Sequence, residues 1–193
     1  MENKNNTINS EENSAYLETS FVDPKKIIEV AGIKRGDKVA DFGCGGGYFS
    51  IPTSEAVGET GEVFAFDILP SAIEAMESFA KIKNIDNIII KRANLEKEKS
   101  TQLEDGSVNW VIIKDVLFQN KKKQNILKEA KRILKDGGNI LVMEWNENPA
   151  MGPEKKMRIT VEDLTKTVFS EGFVFKKQIG AGNYHYVIIA TKM

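Results

Sequence analysis

A short run near the start of the chain, DFGCGGGYFS at positions 41–50, has four glycines within five residues. Glycine loses more conformational entropy on folding than any other residue, so the run is costly unless the backbone must bend sharply or approach something closely. It lies between a segment predicted as a strand and one predicted as a helix. A glycine-rich turn in this position typically brings main-chain atoms against a bound ligand. A tight turn without a ligand is the alternative interpretation.

The spacing of the glycines separates several classes of ligand. The dinucleotide pattern Gly-x-Gly-x-x-Gly fits Gly43 and Gly45, but Tyr48 stands where its third glycine belongs. A Walker-type phosphate loop ends in Gly-Lys-Ser or Gly-Lys-Thr, and the run has no such ending. It follows instead the pattern acid-x-Gly-x-Gly-x-Gly, which begins at Asp41 and ends at Gly47.

A second acidic residue, Asp67, ends the next predicted strand, twenty residues after Gly47. A carboxylate in that position can accept hydrogen bonds from both hydroxyls of a ribose. Asp67 also precedes Ile68 and Leu69, just before a helix predicted to begin at Pro70, where it can serve as a helix cap. The two roles are compatible.

The elements that position these residues alternate along the chain. Strands are predicted at 38–42, 62–67, 87–91, 108–113, 139–143, 173–179 and 184–191. Helices are predicted at 24–31, 47–57, 70–83, 122–134 and 161–170. Short aliphatic strands that alternate with helices favour a parallel sheet covered on both faces. We therefore expect an α/β fold, a Rossmann-like, doubly wound, mostly parallel seven-stranded sheet with helices on both faces and a C-terminal antiparallel β-hairpin.

Composition excludes several classes of function. The 193 residues carry a formal net charge of −1, so long nucleic acids are not expected partners. The single cysteine, Cys44, excludes a disulfide within the chain and a thiolate zinc site, and we expect no metal. It is read as small packing filler rather than as a nucleophile. Without an apolar leader or a membrane-length apolar run, a cytoplasmic protein is expected.

With these motifs the sequence resembles the class I S-adenosylmethionine-dependent methyltransferases over about residues 21–192. The glycine run, Asp67 and the closing helix and hairpin carry the resemblance. The segments PKKIIEVAGIKRGDKVADFGCGGGYFSIPTSEAVGETGEVFAFDI, EWNEN, MGP, MRIT and GNYHY are similar to small-molecule methyltransferases related to the ubiquinone/menaquinone C-methyltransferases. Residues 1–20, which are rich in Asn and Glu, are expected to be a flexible N-terminal segment. Residues 21–193 are expected to form a single methyltransferase domain.

The resemblance implies S-adenosylmethionine as the cofactor, and it assigns positions to its parts. Asp41 would help to hold the ammonium, Asp67 would take the ribose and Ile68 would lie against the adenine. Many family members have Asp at position 94 and an uncharged polar residue at position 114, where this chain has Asn94 and Lys114. The implied cofactor-binding residues are Asp41, Gly43, Cys44, Gly45, Gly47, Asp67, Ile68, Asn94, Leu95, Lys114 and Asp115.

The acceptor is expected to be a small organic molecule. The Asn/Asp-Pro-Pro-aromatic motif of enzymes that methylate nucleic-acid amines is missing after the fourth predicted strand, and arsenite methylation needs several thiols. No catalytic residue is assigned, because methyl transfer from a sulfonium requires alignment more than a base. Acceptor-site candidates are Tyr16, Phe21, Glu144, Trp145, Arg158, Tyr184 and His185, of which we select Phe21, Trp145, Arg158 and His185.

Two other classes of function stay open at this stage. The first is a non-catalytic module that binds adenosylmethionine, or nothing, and acts as a partner or regulator. The unusual residues Asn94 and Lys114 favour this alternative. The second is an oxidoreductase with a nucleotide cofactor, which Tyr48 disfavours because it breaks the dinucleotide fingerprint.

Overall fold

The computed structural model describes residues 14–17, 21–147 and 150–193, and their strands form one eight-stranded sheet. The strands are β1 (Ser14–Leu17), β2 (Lys38–Phe42), β3 (Glu62–Asp67), β4 (Ile88–Arg92), β5 (Val108–Lys114), β6 (Leu134–Trp145), β7 (Phe173–Ala181) and β8 (His185–Lys192). The helices are α1 (Pro24–Ala31), α2 (Ser50–Val57), α3 (Pro70–Lys83), α4 (Lys123–Ile133) and α5 (Val161–Ser170).

The strand order across the sheet is β1-β7-β8-β6-β5-β2-β3-β4. Strand β8 runs antiparallel to both of its neighbours, β6 and β7, and the other pairs are parallel. The C-terminal ends of strands β2, β3, β4, β5 and β6 therefore lie along the same side of the sheet. The predicted Rossmann-like, doubly wound sheet with a closing hairpin is confirmed.

The N-terminal strand β1 is an addition to the seven strands that the sequence predicted. It pairs in parallel with the end of β7, from Ser14 opposite Gln178 to Leu17 opposite Ala181. Strand pairing is made by main-chain groups, and an edge strand presents a row of such groups to any extended segment. A segment of four residues can therefore form this strand by main-chain pairing, although it is too short to show the periodic pattern that predicts a strand. The other residues of the predicted flexible segment 1–20 lie outside the described residues.

The helix after the glycine run begins at Ser50, three residues later than predicted. Gly45 and Gly47 have φ angles of 51° and 87°, which lie outside the right-handed helical region. The turn therefore extends through the glycines, and the helix begins only after Phe49.

Two apolar layers cover the faces of the sheet, because successive residues of a strand point to opposite sides. On β5, Ile112 joins the layer beneath α1 and α2, while Val111 and Ile113 join the layer beneath α4 and α5. All three side chains are fully buried. Because its side chains are packed on both faces, the C-terminal end of this central strand has little freedom to move.

The turn of the closing hairpin lies on the same side of the sheet as the C-terminal ends of the parallel strands. Strand β7 ends at Ala181 and β8 begins at His185, which pairs with Trp145 at the end of β6. Because β8 is antiparallel to β6, its first residue lies where β6 ends. The fold therefore brings His185 to the side of the sheet where the glycine turn lies.

A buried ion pair fixes the long connection between β4 and β5. Glu129 of α4 is 4% exposed and accepts two hydrogen bonds from the Arg132 guanidinium, at 2.9 and 2.8 Å. The same carboxylate accepts the N–H groups of Lys99 and Thr101 at 3.2 Å. Arg132 also donates to the Leu103 carbonyl at 2.7 Å. The connection that follows β4 is therefore held against α4.

Replacement of Arg132 by Met is expected to destabilise the protein by about 3–5 kcal/mol, because it leaves the buried Glu129 carboxylate without its cation. Urea unfolding measures this loss. Lys166→Met is the matched control, since Lys166 pairs with Glu162 on the surface and should change stability by less than about 1 kcal/mol. Equal losses in the two variants would contradict the assignment of a buried clamp.

Candidate functional site

The glycine turn between β2 and α2 has a backbone shape that side chains disfavour. Gly43, Gly45 and Gly47 have φ angles of 80°, 51° and 87°. A Cβ atom on Gly43 would lie 2.3 Å from a methyl carbon of Val116, so the turn packs directly against the chain that follows β5. At Gly45 and Gly46 a Cβ would meet nothing within 4 Å. The turn is thus tight on one side and open on the other.

Three consecutive N–H groups of this turn are used within the protein. Those of Gly43 and Cys44 donate to the carbonyl of Phe66, at 2.8 and 2.9 Å. The N–H of Gly45 donates to a carboxylate oxygen of Asp67 at 3.0 Å. These donors are engaged by the end of β3, so a phosphate group would find them occupied. The geometry therefore does not support a phosphate-binding turn.

The Asp67 carboxylate serves two neighbouring segments. Its second oxygen accepts the N–H of Leu69 at 2.9 Å, just before α3 begins at Pro70. It thus orders the entry to the helix, although the hydrogen bond goes to the residue before the first turn. The same carboxylate also borders the cavity that opens beside the glycine turn. A structural role and a place at the site are both observed.

Asp41, at the end of β2, is 2% exposed and accepts a 2.5 Å hydrogen bond from the hydroxyl of Ser50. Burial raises the pKa of Asp41 to about 6, and the hydrogen bond from Ser50 opposes part of that rise. The pair joins the end of the strand to the start of α2. Ser50 is a site residue that the sequence did not indicate, although its position at the helix start is a signal for such a bond.

A cavity of about 500 Å³ opens along the ends of β2, β3, β4 and β5, a size typical of small-molecule sites. Every residue that the resemblance implied for the cofactor lines it, with the exception of Gly47. Gly47 faces a separate surface groove beside Pro24 and Pro52. Additional lining residues that the sequence did not identify are Gly46, Tyr48, Phe49, Leu69, Ala93, Glu96, Val116, Gln119, Asn120 and Ile126.

The thiol of Cys44 is buried in this cavity wall. Burial, together with the carboxylates of Asp41 and Asp67, raises its pKa far above the usual range of a thiol. A nucleophilic cysteine needs a lowered pKa, so the environment supports the interpretation of Cys44 as packing filler.

Three ionisable side chains meet near the end of β5 and the start of β8, the strands on either side of β6. Asp115 lies within hydrogen-bonding distance of the Lys114 ammonium and 3.3 Å from Nε2 of His185. Burial alone would raise the pKa of Asp115, but His185 and Lys114 outweigh it and lower the pKa below its usual value. Asp115 also has a φ angle of 54°, which is unusual for a residue other than glycine. Such strain is concentrated at functional sites.

A buried carboxyl group, Glu144, lies behind this cluster on β6. One oxygen accepts the N–H groups of Leu117 and Phe118 at 2.9 and 3.3 Å. Its other oxygen has no hydrogen-bond partner among the described residues. Burial, with Asp115 nearby, raises the pKa of Glu144 to about 8, so the group is mostly protonated at neutral pH.

The residues selected for the acceptor lie beyond the cavity wall. The ring centres of Trp145 and His185 lie 4.1 Å apart, and those of Phe21 and Tyr184 lie 6.2 Å apart. The Arg158 guanidinium donates to the carbonyls of Asn146, Met151 and Pro153, so it organises the loop after β6. None of the four selected residues borders the cavity itself. The side chain of Tyr16 lies outside the described residues.

The chain matches a family model described as a methyltransferase domain over residues 33–189. It belongs to this family. It is also 30% identical over 173 residues to the ubiquinone/menaquinone biosynthesis C-methyltransferase of Erwinia tasmaniensis, covering 86% of this chain and 63% of that protein. It is 35% identical over 123 residues to the protein of the same name from Haemophilus ducreyi, covering 62% and 46%. The chain thus spans less than two thirds of the length of these relatives.

Solved structures confirm the methyltransferase fold. A methyltransferase of Aquifex aeolicus, described as S-adenosylmethionine-dependent, superposes with a TM-score of 0.84 at 20% identity, covering 90% of this chain and 92% of that one. The resemblance to class I methyltransferases is confirmed. In the ranges 14–17, 21–147 and 150–193 of this methyltransferase-family chain, no helix has the length and apolarity to cross a bilayer.

Gly43→Ala in this methyltransferase fold is expected to cost about 1–3 kcal/mol of unfolding free energy, since the added methyl meets Val116 at a positive φ. Denaturant unfolding gives the value. Gly46→Ala is the matched control, because its φ is not positive and its Cβ would meet open space. The packing argument fails if both alanines cost the same.

The stability of the protein is expected to fall as the pH rises between about 4.5 and about 8, partly through Glu144. Its pKa is raised in the folded state, so its contribution is complete below the unfolded pKa and is lost as the pH rises through the folded one. Glu144→Gln keeps an acceptor for Leu117 and carries no charge. Urea unfolding across this range should show a flatter decline for the variant, with a remaining slope from Asp41. Parallel curves would count against a protonated Glu144.

Proposed function

We propose that this chain transfers a methyl group from S-adenosylmethionine to a small-molecule acceptor. The observation that carries the proposal is the cavity at the strand ends, which joins an open glycine turn to the carboxylates of Asp41 and Asp67. Membership of the methyltransferase-domain family and the fold of the solved neighbours agree with it.

The residues present fit the cofactor part by part. The open side of Gly45 and Gly46 leaves room for the amino-acid half, and Asp41 offers a carboxylate near its ammonium. Asp67 is placed for the ribose hydroxyls. Its neighbour Ile68 is 49% exposed and can lie against the adenine. When bound, S-adenosylmethionine supplies a methyl group on a positively charged sulfur, which departs as a neutral thioether.

The edge of the adenine is assigned to the segment after β4. Asn94 and Leu95 line the cavity, and the N–H of Ala93 donates to the carbonyl of Asp67 at 2.8 Å, which holds this segment beside β3. The Asn94 side-chain oxygen accepts the N–H of Glu96 at 3.1 Å. The amide nitrogen of Asn94 is then the atom to face the adenine ring.

The acceptor site is assigned to the side of the cavity at Asp115. This carboxylate borders the cavity and also contacts His185, whose ring packs at a tilt against Trp145. An acceptor that carries an exchangeable proton would find an oxygen of Asp115 with which to form a hydrogen bond. Phe21, Trp145, Arg158 and His185 stay predictions as substrate residues, and a cytoplasmic location stays a prediction as well. The relatives' names refer to ubiquinone and menaquinone biosynthesis, and a small organic acceptor is the class we propose here.

A non-catalytic module is the second candidate. The [4+2]-cyclase SpnF superposes on this chain with a TM-score of 0.73 at 13% identity, covering 87% of this chain and 80% of that one. A likeness of fold therefore does not by itself decide the reaction. The Lys114 ammonium within the cavity wall is the observation that favours this alternative.

Calorimetric titration with S-adenosylmethionine, S-adenosylhomocysteine and NAD tests the proposal. We expect the first two to bind and NAD not to bind. Assays for S-adenosylhomocysteine formation with a panel of phenols, thiols, amines and carbon acids then test transfer. Binding without transfer to any acceptor would favour the non-catalytic module, and NAD binding alone would favour the oxidoreductase.

Asp67→Ala is expected to weaken S-adenosylmethionine binding by about 1.5–3 kcal/mol, because charged hydrogen bonds to the ribose are lost. Asp67→Asn should also weaken binding, although its side-chain oxygen can still accept the N–H of Leu69. Calorimetry gives the affinities. Asp136→Ala is the control, since Asp136 lies on the surface with its side chain 91% exposed. An unchanged affinity in both Asp67 variants would leave this residue with its structural role alone.

A further inference from the structure

Lys114 carries a positive charge into the cavity that we assign to a cationic cofactor. It is the last residue of β5, and its side chain is 25% exposed. The ammonium pairs with Asp115 and lies 5.6 Å from the centre of the Tyr48 ring. It is close enough to Asp41 to oppose the rise of that residue's pKa. A carboxylate and an aromatic face are the surroundings that stabilise a cation.

The charges around this ammonium are otherwise negative. Among the described residues that line the cavity, Lys114 is the single basic side chain, and the acidic ones are Asp41, Asp67, Glu96 and Asp115. His185 faces Asp115 from β8. Lys114 thus occupies the place where a ligand cation would find its counter-charges. Pairing with Asp115 keeps the ammonium there, because a lysine withdrawn to solvent would leave that carboxylate less compensated.

The cofactor and the product of the proposed reaction differ in one charge. S-adenosylmethionine has an ammonium, a carboxylate and a sulfonium, whereas S-adenosylhomocysteine keeps the first two and has a neutral sulfur. A positive charge fixed in the cavity wall repels the first compound, which carries one more positive charge, more than it repels the second. It also repels the starting state more than a transition state in which the sulfonium charge is being lost, which lowers the barrier.

We propose that Lys114 is a specificity-determining residue that weakens binding of the charged methyl donor relative to the uncharged product. The inference rests on the proposed function, because it requires that the cavity binds both compounds. In the opposite arrangement, the Lys114 ammonium would pair with the carboxylate that the two compounds share. Removal of the ammonium would then weaken the binding of S-adenosylmethionine and of S-adenosylhomocysteine to the same extent.

The test is the ratio of two dissociation constants measured on each variant, that of S-adenosylmethionine divided by that of S-adenosylhomocysteine. In Lys114→Gln we expect this ratio to fall about 5- to 10-fold, which is the effect of removing one unit charge a few ångströms away in a partly solvated site. Lys114→Arg keeps the charge and should keep the ratio near that of the unsubstituted protein. Lys128→Gln removes a charge from the exposed face of α4 and should leave the ratio unchanged.

Three outcomes separate the possibilities. A lower ratio in Lys114→Gln but not in Lys114→Arg supports the proposal. An unchanged ratio, whether the two affinities stay as they were or weaken equally, overturns it and leaves the proposed function standing. If the unsubstituted protein binds neither compound, the proposed function fails, and this inference falls with it. Lys114→Met, which keeps the apolar stem, takes the place of Lys114→Gln if thermal unfolding shows that the glutamine variant does not fold.

Discussion

The attachment of the glycine turn to the end of β3 is the contact on which the whole site depends. Three successive N–H groups, from Gly43 to Gly45, donate to the Phe66 carbonyl and the Asp67 carboxylate. The turn can make these bonds because glycine tolerates the positive φ angles that aim its N–H groups sideways. Without this attachment the turn would be free to move away from the end of β3, and the cavity would lose one wall.

This attachment also decides which charge the turn can receive. A turn with free N–H groups at the start of a helix attracts anions, and this is how phosphates are commonly held. Here β3 has already taken those donors, and buried or half-buried carboxylates stand on either side of the turn at Asp41 and Asp67. The local field is therefore negative. A ligand with an ammonium and a sulfonium suits such a field, whereas a nucleotide phosphate does not.

The sequence predicted the parts of the site that depend on local signals. The glycine run and Asp67 follow from spacing along single elements, whereas Asn94 and Lys114 were implied by the resemblance. Asp67, Asn94, Lys114 and the glycines of the run other than Gly47 line the cavity. The contact between Asp115 and His185 joins residues 70 positions apart and depends on which way β8 runs beside β6, which no local pattern reveals. The strand β1 was missed for a related reason, because main-chain pairing at a sheet edge needs no apolar signature.

The two ends of the site are linked through Asp115. This carboxylate pairs with Lys114 on the side of the proposed cofactor and faces His185 on the side of the proposed acceptor. Lys114 and His185 therefore share the Asp115 carboxylate as a hydrogen-bond partner, and a change in the position of either side chain alters the hydrogen bonding of the other. Glu144 can stay buried beside them because it is protonated, which avoids a second negative charge at this place. Because Asp115 holds the Lys114 ammonium in the cavity wall, the proposed repulsion of the methyl donor and the hydrogen bonding of His185 depend on the same carboxylate.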